Sequence, residues 1–276
     1  MVYAIFTASV VAAIGAVYAC AVGWLWFRQE RLLFEPDLLA HDEPICADPD
    51  TREFFIEVPG ARLSVAQLRN EKSRGVFFFL HGNSGNLKKW FVELDAFRKA
   101  NFDVVMFDYR GFGKSSGQIE SEEQLHADVK AVWEHFAGMY EGKRVVIAGQ
   151  SLGTGLAAGL SAQLSAAGRT PDLTMLVSPY SSMRALAAEL YPWVPLQVLR
   201  YPLHTLEHAA KLLGPVMLIH GDKDELIPIR HSEELCTAMG KGKCKPQLLR
   251  VTGAGHSDVH LFPTVRKALA SALGRL

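Results

Sequence analysis

The hydrophobic pattern divides the chain into an unbroken apolar segment at the N-terminus and a long alternating region. Residues 1–27 include no charged side chain. From Thr51 onward, short apolar runs rich in β-branched and aromatic residues alternate with stretches of helical periodicity. The runs predicted as strands are EFFIEV, ARLSVAQL, GVFFFLHG, FDVVMFDY, RVVIAG, DLTMLVS, PVMLIHG and QLLRVTG. This alternation predicts an α/β fold with a mainly parallel sheet, because strands buried on both faces read as continuous apolar runs.

The segments between the predicted strands have the periodicity of helices. We expect helices over 88–99 and 122–137, helices that start at 152 and 230, and a closing helix at the C-terminus. In open parallel sheets, ligands bind at the C-terminal edge of the strands. Catalytic residues are therefore expected directly after strands.

The N-terminal segment 1–27 is predicted to be a transmembrane anchor. At 1.5 Å per residue, a helix of this length exceeds the hydrocarbon core of about 30 Å. Tyr3 lies near one end, and Trp24 and Trp26 lie near the other, where amphipathic rings prefer the membrane interface. A cleaved signal peptide would need a basic start and an apolar stretch of only about 7–15 residues, and the segment has neither.

The charges beyond this segment predict the topology and the domain boundaries. Arg28 and Arg31 lie only on the C-terminal flank, so the positive-inside rule favours a cytoplasmic catalytic domain. Residues 28–50 mix charges, prolines and scattered apolar positions, which is typical of a linker. The folded domain is expected to span 51–276.

Composition excludes several classes of protein. Lys+Arg of 29 balance Asp+Glu of 29, so no overall basic field attracts nucleic acid. The 4 cysteines are too few for a disulfide framework and lack zinc-site spacing. Cys236 and Cys244 could pair in an oxidising compartment or remain reduced thiols, and the sequence leaves both alternatives open.

A nucleophile turn is predicted at residues 149–153. The segment GQSLG fits GxSxG, follows the strand RVVIAG and continues into an Ala- and Leu-rich helix, so Ser151 is the candidate nucleophile. A second match at 113–117 lies in a polar loop and is rejected. That loop also lacks the first glycine of a phosphate-binding P-loop, since Asp108 stands there.

Two further strands end in residues that would complete a catalytic triad. PVMLIHG leads into Asp222 and Asp224, and QLLRVTGAG leads into His256. A serine nucleophile needs a base, and the base needs an orienting carboxylate. The order Ser, acid, His is that of the α/β-hydrolase fold, but spacing alone leaves the acid open. His256 and His260 lack the glutamate of a zinc helix, so no metal and no cofactor are expected.

The oxyanion hole is predicted from two backbone N–H groups. Leu152, which follows the nucleophile, supplies one of them. The Gly-rich loop 81–86, HGNSGN, follows the third predicted strand, and Asn83 is the candidate for the second donor. The same loop could equally be an ordinary strand-to-helix turn capped by an asparagine, and the two interpretations are compatible.

Five motifs in register resemble those of the membrane-anchored α/β-hydrolase-domain family, which is related to serine-aminopeptidase-like and protein-depalmitoylating hydrolases. They are FLHGNSGN, FDYRGFGKSSG, AGQSLGTG, HGDKDELIP and GAGHSD. The resemblance covers about residues 25–275. It implies an α/β-hydrolase fold with Ser151 as nucleophile, His256 as base and Asp224 as acid, with Ile227 in place of the usual valine.

An apolar insert predicts the type of substrate. Residues 180–210, rich in Leu, Tyr, Pro and Trp, are expected either to form a short lid over Ser151 or merely to pack down on the domain, and the sequence leaves both alternatives open. An apolar cover beside a nucleophile favours acylated or lipid-like esters and thioesters, because each buried methylene contributes about 0.8 kcal/mol. A peptidase and a non-catalytic binding protein on the same fold remain as alternatives. The oligomeric state stays open.

Overall fold

The structure is a computed structural model that describes residues 2–242 and 244–276. The strands are β1 (Glu35–Pro36), β2 (Thr51–Val58), β3 (Ala61–Leu68), β4 (Gly75–Leu80), β5 (Ser84–Gly85), β6 (Phe102–Phe107), β7 (Arg144–Gln150), β8 (Leu173–Val177), β9 (Val216–Gly221) and β10 (Pro246–Val251). The α-helices are α1 (Val2–Leu33), α2 (Leu87–Trp90), α3 (Asp95–Ala100), α4 (Glu122–Ala137), α5 (Leu152–Ala166), α6 (Met183–Leu190), α7 (Thr205–Ala209), α8 (Arg230–Gly240) and α9 (Pro263–Arg275).

The central sheet has eight strands in the order β10-β9-β8-β7-β4-β6-β3-β2. The six strands from β10 to β6 are parallel, whereas β3 runs antiparallel to both of its neighbours. All eight predicted strands are present, which confirms the mainly parallel α/β fold. A second, two-stranded sheet joins β1 to β5.

Two hydrophobic cores lie on opposite faces of this sheet. Side chains alternate along a strand, so Phe77 and Phe78 of β4 point to different cores. Phe78 packs edge-on against Trp133 of α4, in the core that also contains α5. Phe77 packs against Phe97 of α3, in the core closed by α9. The helices thus cover both faces, as crossover connections between parallel strands require.

The prediction of a single helix over residues 88–99 is wrong. The chain forms two short helices, α2 and α3, and turns between them at Glu93, whose φ is +56°. The halves have different partners: the Trp90 indole of α2 donates to the Ser84 carbonyl of β5, whereas α3 packs against α9. No glycine or proline marks this break, so periodicity alone did not reveal it.

Helix α1 extends past the predicted end of the anchor. Its apolar span covers Ile5–Leu33 and is long enough to cross a membrane. The predicted linker 28–50 begins as the last turns of this helix. It then contributes Phe34 to one core and Ile45 to the other. The chain therefore runs from α1 into the folded domain without a free tether.

The insert 180–210 forms α6, a single 3-10 turn at Leu196–Val198, and α7. Tyr180 donates from its hydroxyl to the Leu152 carbonyl at 3.0 Å, which ties the start of the insert to α5. Tyr201 packs edge-on against Phe34, with ring centroids 5.3 Å apart. The insert thus lies at the junction between α1 and the domain.

The tight crossing of β4 and α5 predicts the effect of one methyl group. A Cβ on Gly153 would lie 2.0 Å from the Leu80 carbonyl oxygen, so we expect Gly153→Ala to lower the free energy of unfolding by about 3 kcal/mol or more. Gly138→Ala is the matched control, because a Cβ on Gly138 meets nothing within 4 Å. Urea denaturation of the two variants, followed by circular dichroism, tests this, and equal midpoints would contradict it.

Candidate active site

Ser151 occupies the sharp turn between β7 and α5. Its φ is +49° and its ψ is −119°, a conformation that costs a non-glycine residue about 1–3 kcal/mol. The turn is held because the Ser151 N–H donates to the Val177 carbonyl at 2.9 Å. It also needs glycine at 149, where a Cβ would lie 2.2 Å from the Gly153 carbonyl oxygen. Motif and conformation therefore agree at this residue.

The structure brings Ser151, His256 and Asp224 together at the C-terminal edge of the sheet. The Ser151 Oγ lies 3.0 Å from His256 Nε2, and His256 Nδ1 lies 2.8 Å from an Asp224 carboxylate oxygen. Asp224 follows β9 and His256 follows β10. Donation from Nδ1 to the carboxylate leaves Nε2 as the acceptor for the serine hydroxyl. This is the arrangement that activates a serine nucleophile.

The carboxylate of Asp224 is buried and fully engaged. Its Oδ1 accepts from the N–H groups of Leu226 and Ile227, at 3.1 and 2.8 Å. Burial alone would raise the pKa of Asp224, but hydrogen bonds from His220, His256 and the Ile227 N–H outweigh it and hold the pKa below its ordinary value. The carboxylate is therefore ionised at neutral pH and can stabilise a protonated His256.

Asp222, the other candidate acid, has a different environment. It is exposed, and its Oδ1 accepts from the Gly253 N–H at 2.7 Å, which joins the ends of β9 and β10. The hydrogen bonds of the His256 ring go to Ser151 and Asp224. The geometry therefore agrees with the assignment of Asp224 that the resemblance implied.

Sequence reasoning missed His220, which supports the carboxylate from behind. This fully buried side chain lies 2.7 Å from the Ser232 Oγ through Nδ1. Its Nε2 lies 2.8 Å from the Ile227 carbonyl oxygen and 3.3 Å from Asp224 Oδ2. A hydrogen on Nε2 therefore faces two acceptors. The one signal in the sequence was a histidine near the end of an otherwise apolar strand.

The two predicted oxyanion donors come from different segments: Leu152 directly follows Ser151, and Asn83 lies in the loop after β4. Leu152 is the first residue of α5, so its N–H has no acceptor within the helix. Asn83 borders the same cavity as Ser151. Its carbonyl accepts from the Glu35 N–H at 2.8 Å and its amide donates to the Leu33 carbonyl at 3.1 Å. Neither contact uses the Asn83 backbone N–H, which is the group that the oxyanion role requires.

A buried pair of side chains contacts the Gly-rich loop 81–86. His81 Nε2 lies 3.6 Å from Asp108 Oδ1, and the same oxygen accepts from the Leu87 N–H at 2.9 Å. Burial lowers the pKa of His81 to about 4 and raises the pKa of Asp108 to about 7. Tyr109 donates from its hydroxyl to the His81 carbonyl at 2.8 Å. These contacts hold both ends of the loop, and the imidazole is neutral at physiological pH.

A cavity of about 700 Å³ opens beside Ser151, between the sheet, α3 and α9. Its apolar walls consist of Phe77, Phe79, Met106, Met175, Val177, Ile219, Val265 and Leu269. None of the residues that line it belongs to the insert 180–210. The insert that was predicted as a lid therefore does not line this cavity, whose apolar walls come from the sheet and two helices.

Among residues 2–242 and 244–276, no group of three or more His, Cys, Asp or Glu side chains could hold a metal ion. Cys236 and Cys244 are free thiols in this structure.

Known proteins resemble this chain in sequence. A family model described as serine aminopeptidase S33 matches residues 71–203. An uncharacterized protein of Mycobacterium tuberculosis is 30% identical over 261 residues, which cover 92% of this chain and 89% of that protein. Alpha/beta hydrolase domain-containing protein 17B of Homo sapiens is 29% identical over 211 residues, covering 74% of this chain and 68% of that protein.

Solved structures share the fold at low sequence identity. An esterase of Pyrococcus furiosus superposes with a TM-score of 0.69 at 19% identity, covering 88% of this chain and 97% of that chain. A thioesterase domain from the curacin biosynthetic pathway superposes with a TM-score of 0.60 at 15% identity, covering 82% of this chain and 99% of that chain. The chain belongs to the α/β-hydrolase family, and its relatives support a hydrolase activity.

The contacts of His220 predict a positioning role that kinetics can detect. A hydrogen bond to a charged group contributes about 1.5–3 kcal/mol, so His220→Leu should lower kcat by about 10- to 100-fold with little change in KM. His220→Gln keeps a donor and should recover most of the rate. Steady-state hydrolysis of a chromogenic ester measures both. Equal losses in the two variants would indicate a purely structural role.

Proposed function

We propose that this chain is a membrane-anchored serine hydrolase that cleaves carboxylic ester or thioester bonds of acylated or lipid-like substrates. The observation that carries the proposal is the hydrogen-bond chain from Asp224 through His256 to Ser151, at 2.8 and 3.0 Å. A serine hydroxyl alone is a weak nucleophile at neutral pH and needs a base to remove its proton. In this hydrogen-bond chain, His256 is the base.

The proposed reaction proceeds in two halves through an acyl-enzyme. Ser151 Oγ attacks the carbonyl carbon while His256 Nε2 takes its proton, and Asp224 stabilises the imidazolium that forms. Collapse of the tetrahedral intermediate breaks the bond to the leaving oxygen or sulfur, which receives the proton from His256. Water then attacks the acyl-enzyme with His256 as base, and the acid and free Ser151 are released.

The negative oxygen of the intermediate would lie against the N-terminus of α5. The N–H groups of Leu152 and Asn83 are the proposed donors, and each such donor contributes about 10²- to 10³-fold in rate. The dipole of α5 adds partial positive charge at the same point. The donors are preorganised because the Ser151 turn and the contacts of Asn83 with the end of α1 hold them in place.

The cavity beside Ser151 favours an acyl group as the part of the substrate that it binds. Its volume of about 700 Å³ falls within the range of small-molecule sites, and its inner walls are aliphatic and aromatic. Each methylene that leaves water for such walls contributes about 0.8 kcal/mol. Charged side chains line the cavity only on the helices and loops around it: Lys89, Glu93, Asp95, Lys99 and Arg266.

Helix α1 supports the anchoring part of the proposal. The most apolar 18-residue stretch within Ile5–Leu33 has a mean hydropathy of 2.2, and none of that stretch is buried inside the domain. Most of its large side chains are exposed, among them Ile14 and Val17. Because Arg28 and Arg31 follow the uncharged stretch, the positive-inside rule favours a catalytic domain in the cytoplasm.

A peptidase is the second candidate, because the matching family model is described as a serine aminopeptidase. An aminopeptidase must hold the free amine of its substrate, which calls for unpaired carboxylates near the nucleophile. Glu93 and Asp95 border the cavity, but Glu93 is paired with Arg266 at 2.8 Å and Asp95 with Arg98 at 3.5 Å. The lysines at 89 and 99 add positive charge to the same rim. The ester and thioester assignment therefore ranks first.

Substitutions at the triad test the activity. Ser151→Ala should abolish hydrolysis of a chromogenic acyl ester by the full chain. Asp224→Asn should lower kcat by about 10⁴-fold because the imidazole loses its orienting carboxylate. Asp222→Asn is the matched control and should leave kcat unchanged, since Asp222 contacts the Gly253 N–H rather than His256. Full activity of Ser151→Ala would refute the proposal, and an inactive wild-type protein would favour a binding role.

The cavity predicts a change in substrate chain length. Ala96 lines the cavity from α3, so Ala96→Phe should fill part of it and shift the preferred substrate toward shorter acyl chains. Ala270→Phe is the control, because Ala270 is exposed on α9. A series of 4-nitrophenyl esters of increasing length, compared by kcat/KM, measures the shift. An unchanged profile in Ala96→Phe would show that the acyl chain binds elsewhere.

A further inference from the structure

The insert presents an exposed apolar tip that the proposed reaction does not use. Residues 190–199, LYPWVPLQVL, include no charged side chain. Leu190, Tyr191 and Trp193 are 42%, 54% and 50% exposed. Exposed large apolar side chains that adjoin one another are uncommon on soluble surfaces and mark sites of interaction. We define 190–199 as the insert tip.

The insert tip lies alongside α1, and none of its residues lines the cavity beside Ser151. The Tyr18 hydroxyl of α1 donates to the Trp193 carbonyl at 3.1 Å. Farther along the helix, Gln29 contacts the other end of the tip. Eleven residues separate Tyr18 from Gln29, which corresponds to about 16 Å along the helix axis. The tip therefore follows α1 for this distance in the direction away from the catalytic domain.

Polar contacts clamp the insert tip to α1. The buried Gln29 side chain donates to the Val198 carbonyl at 2.6 Å and accepts from the Arg200 N–H at 2.9 Å. Glu30 accepts from the Tyr201 hydroxyl at 2.9 Å and forms an ion pair with Arg200. Helix and insert are thus bonded to each other at both ends of the tip. The orientation of the tip relative to α1 is fixed by these bonds.

The length of α1 defines the depth of the tip. A hydrocarbon core of about 30 Å accommodates about 20 helical residues. If Tyr3 marks one interface, the other lies near Gly23, and Tyr18 is then about 7 Å inside the hydrocarbon. If Trp24 and Trp26 mark the second interface, Tyr18 lies at least as deep. Helical side chains lean toward the N-terminus, which carries the Tyr18 ring farther from the domain.

We propose that the insert tip is a second membrane contact, with Leu190, Tyr191 and Trp193 buried in the leaflet that surrounds the C-terminal half of α1. The inference rests on the proposed membrane anchor. The partner is the lipid bilayer, because the exposed side chains are continuous with a helix that crosses it. Tyrosine and tryptophan rings prefer the boundary between headgroups and acyl chains. Two contacts, in place of a single helix, would hold the catalytic domain in one orientation on the membrane.

Site-directed fluorescence in vesicles tests this contact. The full chain, with its four native cysteines replaced by alanine, carries one new cysteine labelled with the environment-sensitive fluorophore NBD. Trp193→Cys reports on the tip, and Tyr191→Cys repeats the measurement should the first variant fold poorly. Ile14→Cys reports on the middle of α1. Met139→Cys is the aqueous control, because Met139 is exposed and precedes β7 at the opposite edge of the sheet.

The labelled proteins are reconstituted in phosphatidylcholine vesicles and exposed to nitroxide-labelled lipid or to aqueous iodide. The label at 193 should show blue-shifted emission, quenching by the lipid nitroxide and protection from iodide, as the label at 14 should. The label at 139 should show no blue shift and no quenching by the lipid nitroxide, and iodide should quench it. If the label at position 14 behaves as lipid-exposed while the label at position 193 behaves like the aqueous control at 139, the anchor stands and the second contact is overturned.

Two other results would also overturn the second contact. Protection of 193 from iodide without quenching by the lipid nitroxide would mean that protein, such as a second copy of this chain, covers the tip. Exposure of 14, 193 and 139 alike to iodide would reject the anchor together with the second contact.

Discussion

The crowded crossing of β4, β7 and α5 is the constraint on which the rest of the site depends. A Cβ on residue 153 would lie 2.0 Å from the Leu80 carbonyl oxygen. A Cβ on residue 149 would lie 2.2 Å from the Gly153 carbonyl oxygen. The chain can pass only if Ser151 adopts its strained φ of +49°. That conformation presents the hydroxyl at the edge of the sheet and begins α5 at once, so a single turn positions both the proposed nucleophile and the Leu152 N–H.

The end of α1 is part of the catalytic domain and not an appendage to it. β1 pairs with β5, which lies within the Gly-rich loop 81–86. The Asn83 side chain of the same loop donates to the carbonyl of Leu33, the last residue of α1. Phe34 enters the main core beside Tyr201 of the insert. The proposed anchor, the loop that would stabilise the oxyanion and the insert therefore share one set of contacts. We infer that the orientation of α1 and the geometry of the active site are linked.

The features that could be predicted from the sequence were those with local signals. The strands appear as apolar runs, and the turn at Ser151 is recognised because its glycines stand beside it. The choice between Asp222 and Asp224 was not local, since it depends on which carboxylate faces His256 across two strands. The role of His220, the break at Glu93 and the docking of the insert on α1 likewise arise from contacts between distant parts of the chain, such as Gln29 with Val198, that no pattern of neighbouring residues encodes.

The identity of the residue that reacts with a fluorophosphonate, which phosphonylates an activated serine, tests the central claim most directly. The full chain, incubated with a fluorophosphonate and digested with trypsin, can be mapped by mass spectrometry. The account predicts a single adduct on Ser151, absent when His256 is replaced by alanine, because the serine hydroxyl depends on the imidazole 3.0 Å away. An adduct on Ser115, within the second GxSxG match, or labelling of Ser151 that does not depend on His256, would contradict it.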